Sequence, residues 1–258
     1  MAGAQVVDLD ASLPDLANVR DIGGLPGPSG TVTRHGVLLR SGAPLFLDAA
    51  QVEELVSSVG VRTRVDLRSA EEVADGTNPV LAAREGRVMG LPLKSGGGLW
   101  EPAGSRDPVT EVASHYLRYL QHSADEIVAI ARTVAGGEEG DGEGAVLVHC
   151  TLGKDRTGVV VAVLLSAVGV SDDVIVADYG LTGHGLDGSL DRLRALPAFR
   201  KRLETLPAEA LSADPRNMAR FLEWLRRDHG SAREYLMAHG VTSEELRSLA
   251  DRLLTPAG

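Results

Sequence analysis

The stretch 145–168 constrains the fold of this 258-residue chain more than any other. It opens with Ala-Val-Leu-Val-His (145–149), a short β-branched run bounded by glycines. Such a run is expected to be a strand buried on both faces, the habit of parallel strands in α/β proteins. A long apolar helix is expected from about Arg156 to Val168. A strand that passes through a tight turn into a helix needs parallel neighbours and a helical layer over them. The class expected is therefore α/β: a central, mostly parallel sheet flanked by helices.

The rest of the chain carries the same alternation up to residue 171 and turns almost wholly helical after it. Residues 31–40 read as a hairpin or edge strand pair. Asp48 is placed to cap a helix over 49–58 that Gly60 ends, and 61–67 alternates as a strand does. Ser69 and Glu72 have capping-box spacing for a short helix, and 87–91 reads as another strand. Residues 94–107 are glycine-rich and read as a mobile surface loop. Helices are expected over 108–120 and 124–134, the second opened by a box of Ser123 and Glu126. Ser171 is placed to cap a further helix. Two or three amphipathic helices should fill 187–228, broken at Pro197, Pro207 and Pro215. Helices over 231–238 and 242–254 close the chain, the last with a Thr242/Glu245 box. With no linker between the halves, 1–258 is read as one domain with a helical extension or lid at about 185–230.

Composition narrows the partners. The formal net charge of −10 argues against nucleic acid or an anionic membrane surface as the main partner, although a small basic pocket can sit in an acidic shell. Cys150 is the one cysteine, so no internal disulfide forms and no oxidising compartment is needed. The first ten residues have neither a charged nor an apolar signal region. The longest apolar run, 159–170, is broken by Ser166 and Gly169 and is too short to span a bilayer. A cytoplasmic protein, or one exported without a recognisable signal peptide, is expected. No motif speaks to oligomeric state.

Residues 149–158 are His-Cys-Thr-Leu-Gly-Lys-Asp-Arg-Thr-Gly. In a turn between a buried strand and a helix N-terminus, successive backbone N–H groups converge on an anion, and the helix dipole adds positive potential there. Cys150 and Arg156 bracket that nest. The field that binds a phosphate also favours the thiolate, which is the nucleophilic form of cysteine. Cys150 is thus the candidate nucleophile and Arg156 the candidate phosphate clamp, its planar fork matching two phosphoryl oxygens. Thr151, Leu152, Gly153, Lys154 and Thr157 complete the candidate binding loop, with the Thr157 hydroxyl able to donate to the sulfur. His149 reads as a strand-end residue that braces the loop rather than as a general base. The alternative is a buried structural cysteine; the adjacent histidine, the internal glycine and the Thr-Gly after the arginine weigh against it.

This segment resembles the signature loop of the cysteine-dependent protein tyrosine phosphatases. Gly-Lys-Asp-Arg-Thr-Gly resembles more narrowly the bacterial branch that includes the mycobacterial protein tyrosine phosphatase B. Further matches fall in order along the chain: Asn18-Val-Arg-Asp-Ile-Gly-Gly24, Leu39-Arg-Ser-Gly42, Val65-Asp-Leu-Arg-Ser69, Asp178-Tyr179 and the stretch from Tyr235 to Thr242. The resemblance implies a phosphatase acting on phosphotyrosine, with phosphoserine, phosphothreonine or phosphoinositides as further substrates. It also implies that Asp155 is the general acid. Asp66, at a strand's C-terminal end, is the second candidate and Asp107 the third. Trp100-Glu101-Pro102 only looks like a Trp-Pro-Asp loop, and Asp141 belongs to the opposite edge of the sheet. Where that mycobacterial relative has a long lid insertion, only 94–107 stands here. A two-part lid is therefore not expected, while helices at 187–216 could cover the pocket.

Lys154 has two readings, a solvated cation at a loop tip or a second positive charge for doubly phosphorylated or inositol head groups. Arg20, Arg40 and Arg68 read as structural ion-pair partners. No His/Asp cluster has metal-ligand spacing, so no metal or other cofactor is expected. The leading expectation is a phosphoprotein phosphatase, with a phosphoinositide phosphatase as the alternative. A catalytically dead phosphate-binding module and a rhodanese-type sulfur transferase are more distant readings, separated by turnover of an aryl phosphate or of thiosulfate.

Overall fold

The computed structural model describes residues 9–84, 86–97, 100, 102–136 and 144–257. Among these described residues seven strands form two sheets: β1 (Arg20–Asp21), β2 (Thr31–Thr33), β3 (Leu38–Ser41), β4 (Val61–Asp66), β5 (Arg87–Gly90), β6 (Ala145–His149) and β7 (Leu254–Pro256). The main sheet has the order β1-β3-β6-β4-β5. β3, β6, β4 and β5 run parallel, and β1 is antiparallel at one edge. All five residues of β6 are buried, as its apolar run requires of a central strand covered on both faces.

The helices, in chain order, are α1 (Leu9–Ser12), α2 (Ala49–Glu53), α3 (Ala70–Asp75), α4 (Pro79–Ala82), α5 (Pro108–His122), α6 (Ala124–Val134), α7 (Asp155–Ala167), α8 (Asp172–Leu181), α9 (Leu186–Arg194), α10 (Pro197–Leu203), α11 (Pro215–His229), α12 (Ala232–Ala238) and α13 (Ser243–Leu253). Alternation along the strands sorts them into two layers. Leu38, Val65, Val146 and Val148 face α5, α6, α7 and α11 in the larger core, whereas Leu39, Val61, Ala145 and Leu147 face a smaller one built with Leu13, Leu16, Val52 and Leu55. α7 is apolar nearly all round and almost wholly buried, so it is a core helix rather than a surface one. A third cluster stands apart: Leu186, Leu190, Leu193, Phe199 and Leu203 pack on Leu152 of the loop after β6.

Five expectations need correction. Residues 31–40 make no hairpin. β2 pairs with β7 at the far end of the chain, and β3 enters the main sheet beside β6. Leu38 and Leu39 are both buried, which suits an interior strand and not an edge. Ser123 does not cap α6, nor Ser171 α8, with its side chain; the Ser123 hydroxyl accepts from the Lys94 amide at 2.8 Å and so pins the 94–107 segment. The helix over 49–58 leaves α-geometry after Glu53 and continues as a π-turn over Glu54–Ser58. The lid reading narrows as well, because Met218, Phe221, Leu222 and Leu225 of α11 join the main core. Among the described residues no helix is long and apolar enough to cross a membrane.

Candidate active site

The C-terminal ends of β3, β4 and β6 lie side by side, with Ser41 and Asp66 both in register with His149. This is the edge where sites open in parallel sheets. From it the chain turns through 150–154 into α7. Gly153 has φ +69°, and a Cβ there would fall 2.4 Å from the Ser41 carbonyl group, so the turn requires glycine. The loop's carbonyls face outward and are each held. Asn18 Nδ2 donates to the Leu152 and Gly153 oxygens at 3.3 and 2.8 Å, Arg40 Nη2 donates to the Gly153 oxygen at 2.8 Å, and the Ala43 amide donates to the Thr151 oxygen at 3.0 Å. With the carbonyls turned out, the amides of residues 151–155 donate to no protein group among the described residues, and no side chain caps α7. Free amides at a helix N-terminus form an anion-binding cradle.

The brace behind the loop explains the scattered motif pieces. Asp178 accepts from Arg20 Nε at 2.7 Å and from the fully buried Arg40 at 2.6 Å. Burial opposes its charge, but Arg40 and Arg20 outweigh burial and keep the carboxyl below its ordinary value. Arg68 pairs with Asp66 at 2.7 Å. The three arginines thus make the ion pairs expected of them. His149 is wholly buried and neutral. Burial pushes its pKa down to about 4, against the opposing pull of Asp66 and with help from Arg64. Its Nε2 accepts from Arg64 at 2.8 Å and its Nδ1 lies 3.3 Å from the Cys150 carbonyl, so it braces the strand end.

Cys150, buried at the start of the loop, opens onto a cavity of about 70 Å³. Arg156 lines the same cavity. Its Nη1 donates to Glu72 Oε2 at 2.6 Å and to the Leu67 carbonyl at 3.1 Å, and its Nη2 donates to Glu72 Oε1 at 2.6 Å. Three of the five guanidinium N–H groups are thereby used. Those left, Nε–H and one Nη2–H, share one edge of the plane, the geometry for two oxygens of one oxyanion. Glu72 is saturated in turn by Arg156, by the Thr151 hydroxyl at 2.6 Å and by the Ser69 amide at 2.9 Å. Burial opposes its ionisation, yet Arg156 and these hydrogen bonds lower its pKa to about 2.

The remaining predicted residues separate by position. Asp155 lines the cavity; its Oδ1 accepts from Lys154 Nζ at 2.5 Å and from the Tyr116 hydroxyl at 2.6 Å. Thr151 and Leu152 line it too, whereas Gly153, Lys154 and Thr157 do not. Lys154 meets neither of its readings: it is fully buried beneath Asp155, neither solvated nor facing the cavity. The Thr157 hydroxyl is buried without a hydrogen-bond partner among the described residues, and the expected bond to the sulfur is not formed. Asp66 lies outside the cavity lining. Burial works against its charge, but the His149 ring and Arg68 outweigh burial and hold its carboxyl well below the usual carboxylate range. Asp107 caps α5 at the surface through Val109 and Thr110. Trp100 lines the cavity, while Glu101 and Asp141 lie outside the described residues.

Three parts of the site were not legible in the sequence. Glu72 was legible only as a helix cap. Tyr116 and Tyr119, one helical turn of α5 apart from residues that pack the core, gave no signal beyond helical spacing. His115 lines the cavity with its ring tilted against Trp100 at 4.8 Å; its Nε2 meets the Tyr119 hydroxyl at 2.8 Å and its Nδ1 has no partner among the described residues. Burial lowers its pKa to about 4. The roof is formed by Phe199, Arg202, Leu203, Leu206 and Ala210, all within the 187–216 stretch read from sequence as able to cover the pocket. Among the described residues no group of three or more His, Cys, Asp or Glu side chains is arranged to hold a metal ion.

A parallel sheet that delivers a cysteine into a cradle of free amides, with an arginine fork opposite, has the architecture of the cysteine-dependent phosphatase fold. The model of the tyrosine phosphatase family matches residues 11–255, and the chain belongs to that family. A Cupriavidus necator relative, provisionally named a tyrosine-protein phosphatase, is 35% identical over 182 residues, covering 66% of this chain and 62% of its own. A tyrosine-protein phosphatase of Nostoc commune is 29% identical over 209 residues, 78% of this chain and 68% of its own. The triple specificity protein phosphatase PtpB of Mycobacterium tuberculosis is 32% identical over 195 residues, 65% of this chain and 67% of its own. The chain thus spans about two thirds of the length of these curated relatives.

Proposed function

We propose that this protein hydrolyses phosphotyrosine in proteins through a phosphocysteine intermediate, with breadth toward phosphoserine and phosphothreonine. One observation carries the reading: Cys150, Arg156 with its free edge, and Asp155 line a single cavity at the loop whose amides have no protein acceptor among the described residues. Membership of the tyrosine phosphatase family supports the substrate, and the relative named for triple specificity supports the breadth. The reading of Lys154 as a second cation for inositol head groups loses its support, because that lysine is paired with Asp155.

In this reading the Cys150 thiolate attacks phosphorus in line. The S–P bond forms as the ester P–O bond breaks, and Asp155 gives its proton to the departing oxygen. The free Arg156 fork and the loop amides hold the three equatorial oxygens, where charge is spread in the transition state. Water then attacks the phosphocysteine and passes a proton to Asp155, and the thiolate leaves as phosphate is released. Lys154 and Tyr116 favour a charged Asp155 in the empty site, outweighing the burial that opposes it. The bound phosphoryl dianion beside it works the other way and raises its hold on a proton.

Residues 1–258 act in this account as one phosphatase domain, with 186–211 as its lid. The lid as placed leaves about 70 Å³, a narrow opening for an aryl phosphate. In this reading the roof lifts to admit it. The test is a panel of phosphotyrosine, phosphoserine and phosphothreonine peptides and phosphoinositide vesicles, with Cys150→Ser as the blank. Phosphotyrosine peptides should turn over fastest. No turnover of any peptide, or preference for the vesicles, would overturn the reading.

A further inference from the structure

Behind Asp155 lies a buried hydroxyl chain that the phosphatase reading leaves unused. Tyr116 of α5 is fully buried, and its hydroxyl meets Asp155 Oδ1 at 2.6 Å and the Tyr179 hydroxyl of α8 at 2.7 Å. Each phenol has one proton. Both side chains are deeply buried, and burial raises their pKa values above the ordinary tyrosine range, so both hold that proton. A carboxylate oxygen can only accept, so Tyr116 donates to Asp155, and Tyr179 must then donate to Tyr116. The chain has one direction, Tyr179 to Tyr116 to Asp155.

This direction distinguishes the two carboxyl oxygens. Oδ1 takes the Tyr116 hydroxyl and Lys154 Nζ together. Tyr116, Tyr179 and Lys154 lie outside the cavity lining, whereas Asp155 belongs to it. Oδ1 is therefore turned into the protein and pinned by two donors, and Oδ2 is the oxygen left for the cavity. We infer that Tyr116, backed by Tyr179, is a positioning residue that fixes the Asp155 carboxyl with Oδ2 toward the substrate's leaving oxygen. This rests on Asp155 being the general acid. The proton moves from Oδ2 to the ester oxygen as the P–O electron pair goes to that oxygen; no proton leaves either tyrosine. The groups facing Asp155 are Lys154 from the loop, Tyr116 and His115 from α5, Tyr179 from α8 behind Tyr116, and Cys150 and Arg156 across the cavity.

The experiment compares full-length wild type, Tyr116→Phe, Tyr179→Phe and Asp155→Asn on a phosphotyrosine peptide and on para-nitrophenyl phosphate, whose leaving group needs little protonation. Phenylalanine keeps the ring that packs edge-on against Phe221 at 6.0 Å. Tyr116→Phe should lower kcat on the peptide by about tenfold, the cost of losing a hydrogen bond to a charged group, and change the nitrophenyl rate less than about twofold. Losing a donor to the charged carboxylate should also move the basic limb of the kcat profile to higher pH. Tyr179→Phe should show the same pattern more weakly, and it decides the matter if Tyr116→Phe does not fold. Equal losses on both substrates, or none on either, would overturn the inference while Asp155→Asn still shows the leaving-group dependence. If Asp155→Asn lacks that dependence, the acid assignment and this inference fall together.

Discussion

His149 and His115 are neutral imidazoles held in low-dielectric surroundings, each with its pKa pushed to about 4 first of all by burial. In the unfolded chain a histidine titrates near 6.5. The folded value lies below the unfolded one, so the unfolded state binds the extra protons. Stability is fully present above pH 6.5 and is lost as pH falls toward 4. At pH 5 each residue should cost roughly 2 kcal/mol of unfolding free energy. Urea unfolding at pH 7.5 and pH 5 measures this, and His149→Gln should reduce the difference by about half. A stability that is flat over that range would contradict the neutral, buried assignment of both rings. Glu72, lowered to about 2, adds its own loss only below the ordinary glutamate value. The same residue scale shows why Lys154 was misread from sequence. Between a glycine and an aspartate it looks like a solvated loop tip, and only the fold reveals that it is buried and paired with Asp155, whose carboxyl also takes the Tyr116 hydroxyl.

At the scale of elements, α3 links the parts of the site. Its Ser69/Glu72 capping box was legible in the sequence because both partners are local. The further use of Glu72 was not legible, because Arg156 lies 84 residues away. The same helix ends at Asp75, which pairs with Arg202 of α10 at 2.5 Å, and Arg202 stands in the roof of the cavity. A second tether joins Arg192 of α9 to Asp15 at 2.9 Å, with its guanidinium over the Phe46 ring. Both ion pairs are partly exposed, and such pairs are worth at most about 1 kcal/mol. That is too little to hold the fold but enough to change how often the roof lifts. Asp75→Asn should leave the thermal midpoint within a few degrees of wild type. In a Cys150→Ser background it should raise the association rate of a phosphotyrosine peptide about two- to fivefold, read by stopped-flow fluorescence. An unchanged rate would show that the Asp75 tether does not restrain the lid.

At the scale of the whole molecule, what the sequence disclosed follows the range of the interactions. The parallel strand β6, the core helix α7 and the capped ends of α3 and α13 are written in contiguous residues. The pairing of β2 with β7 is not, since it joins Thr31–Thr33 to Leu254–Pro256 across almost the entire chain and neither run is long or apolar. The cradle itself was legible from ten consecutive residues. Its bracing by Asn18, Arg40 and Asp178 appeared only as matches in order, with no hint that three segments converge behind Gly153. All of this architecture serves one chemical claim, that the phosphoryl group passes through the sulfur of Cys150. The direct measurement is a rapid acid quench of the wild-type protein during turnover of para-nitrophenyl phosphate, followed by mass mapping of its peptides. The account predicts a burst of nitrophenol matched by one phosphoryl group on the Cys150 peptide, with neither seen in Cys150→Ser. A phosphoryl group on any other residue, or a Cys150→Ser variant that turns over at the wild-type rate, would contradict it.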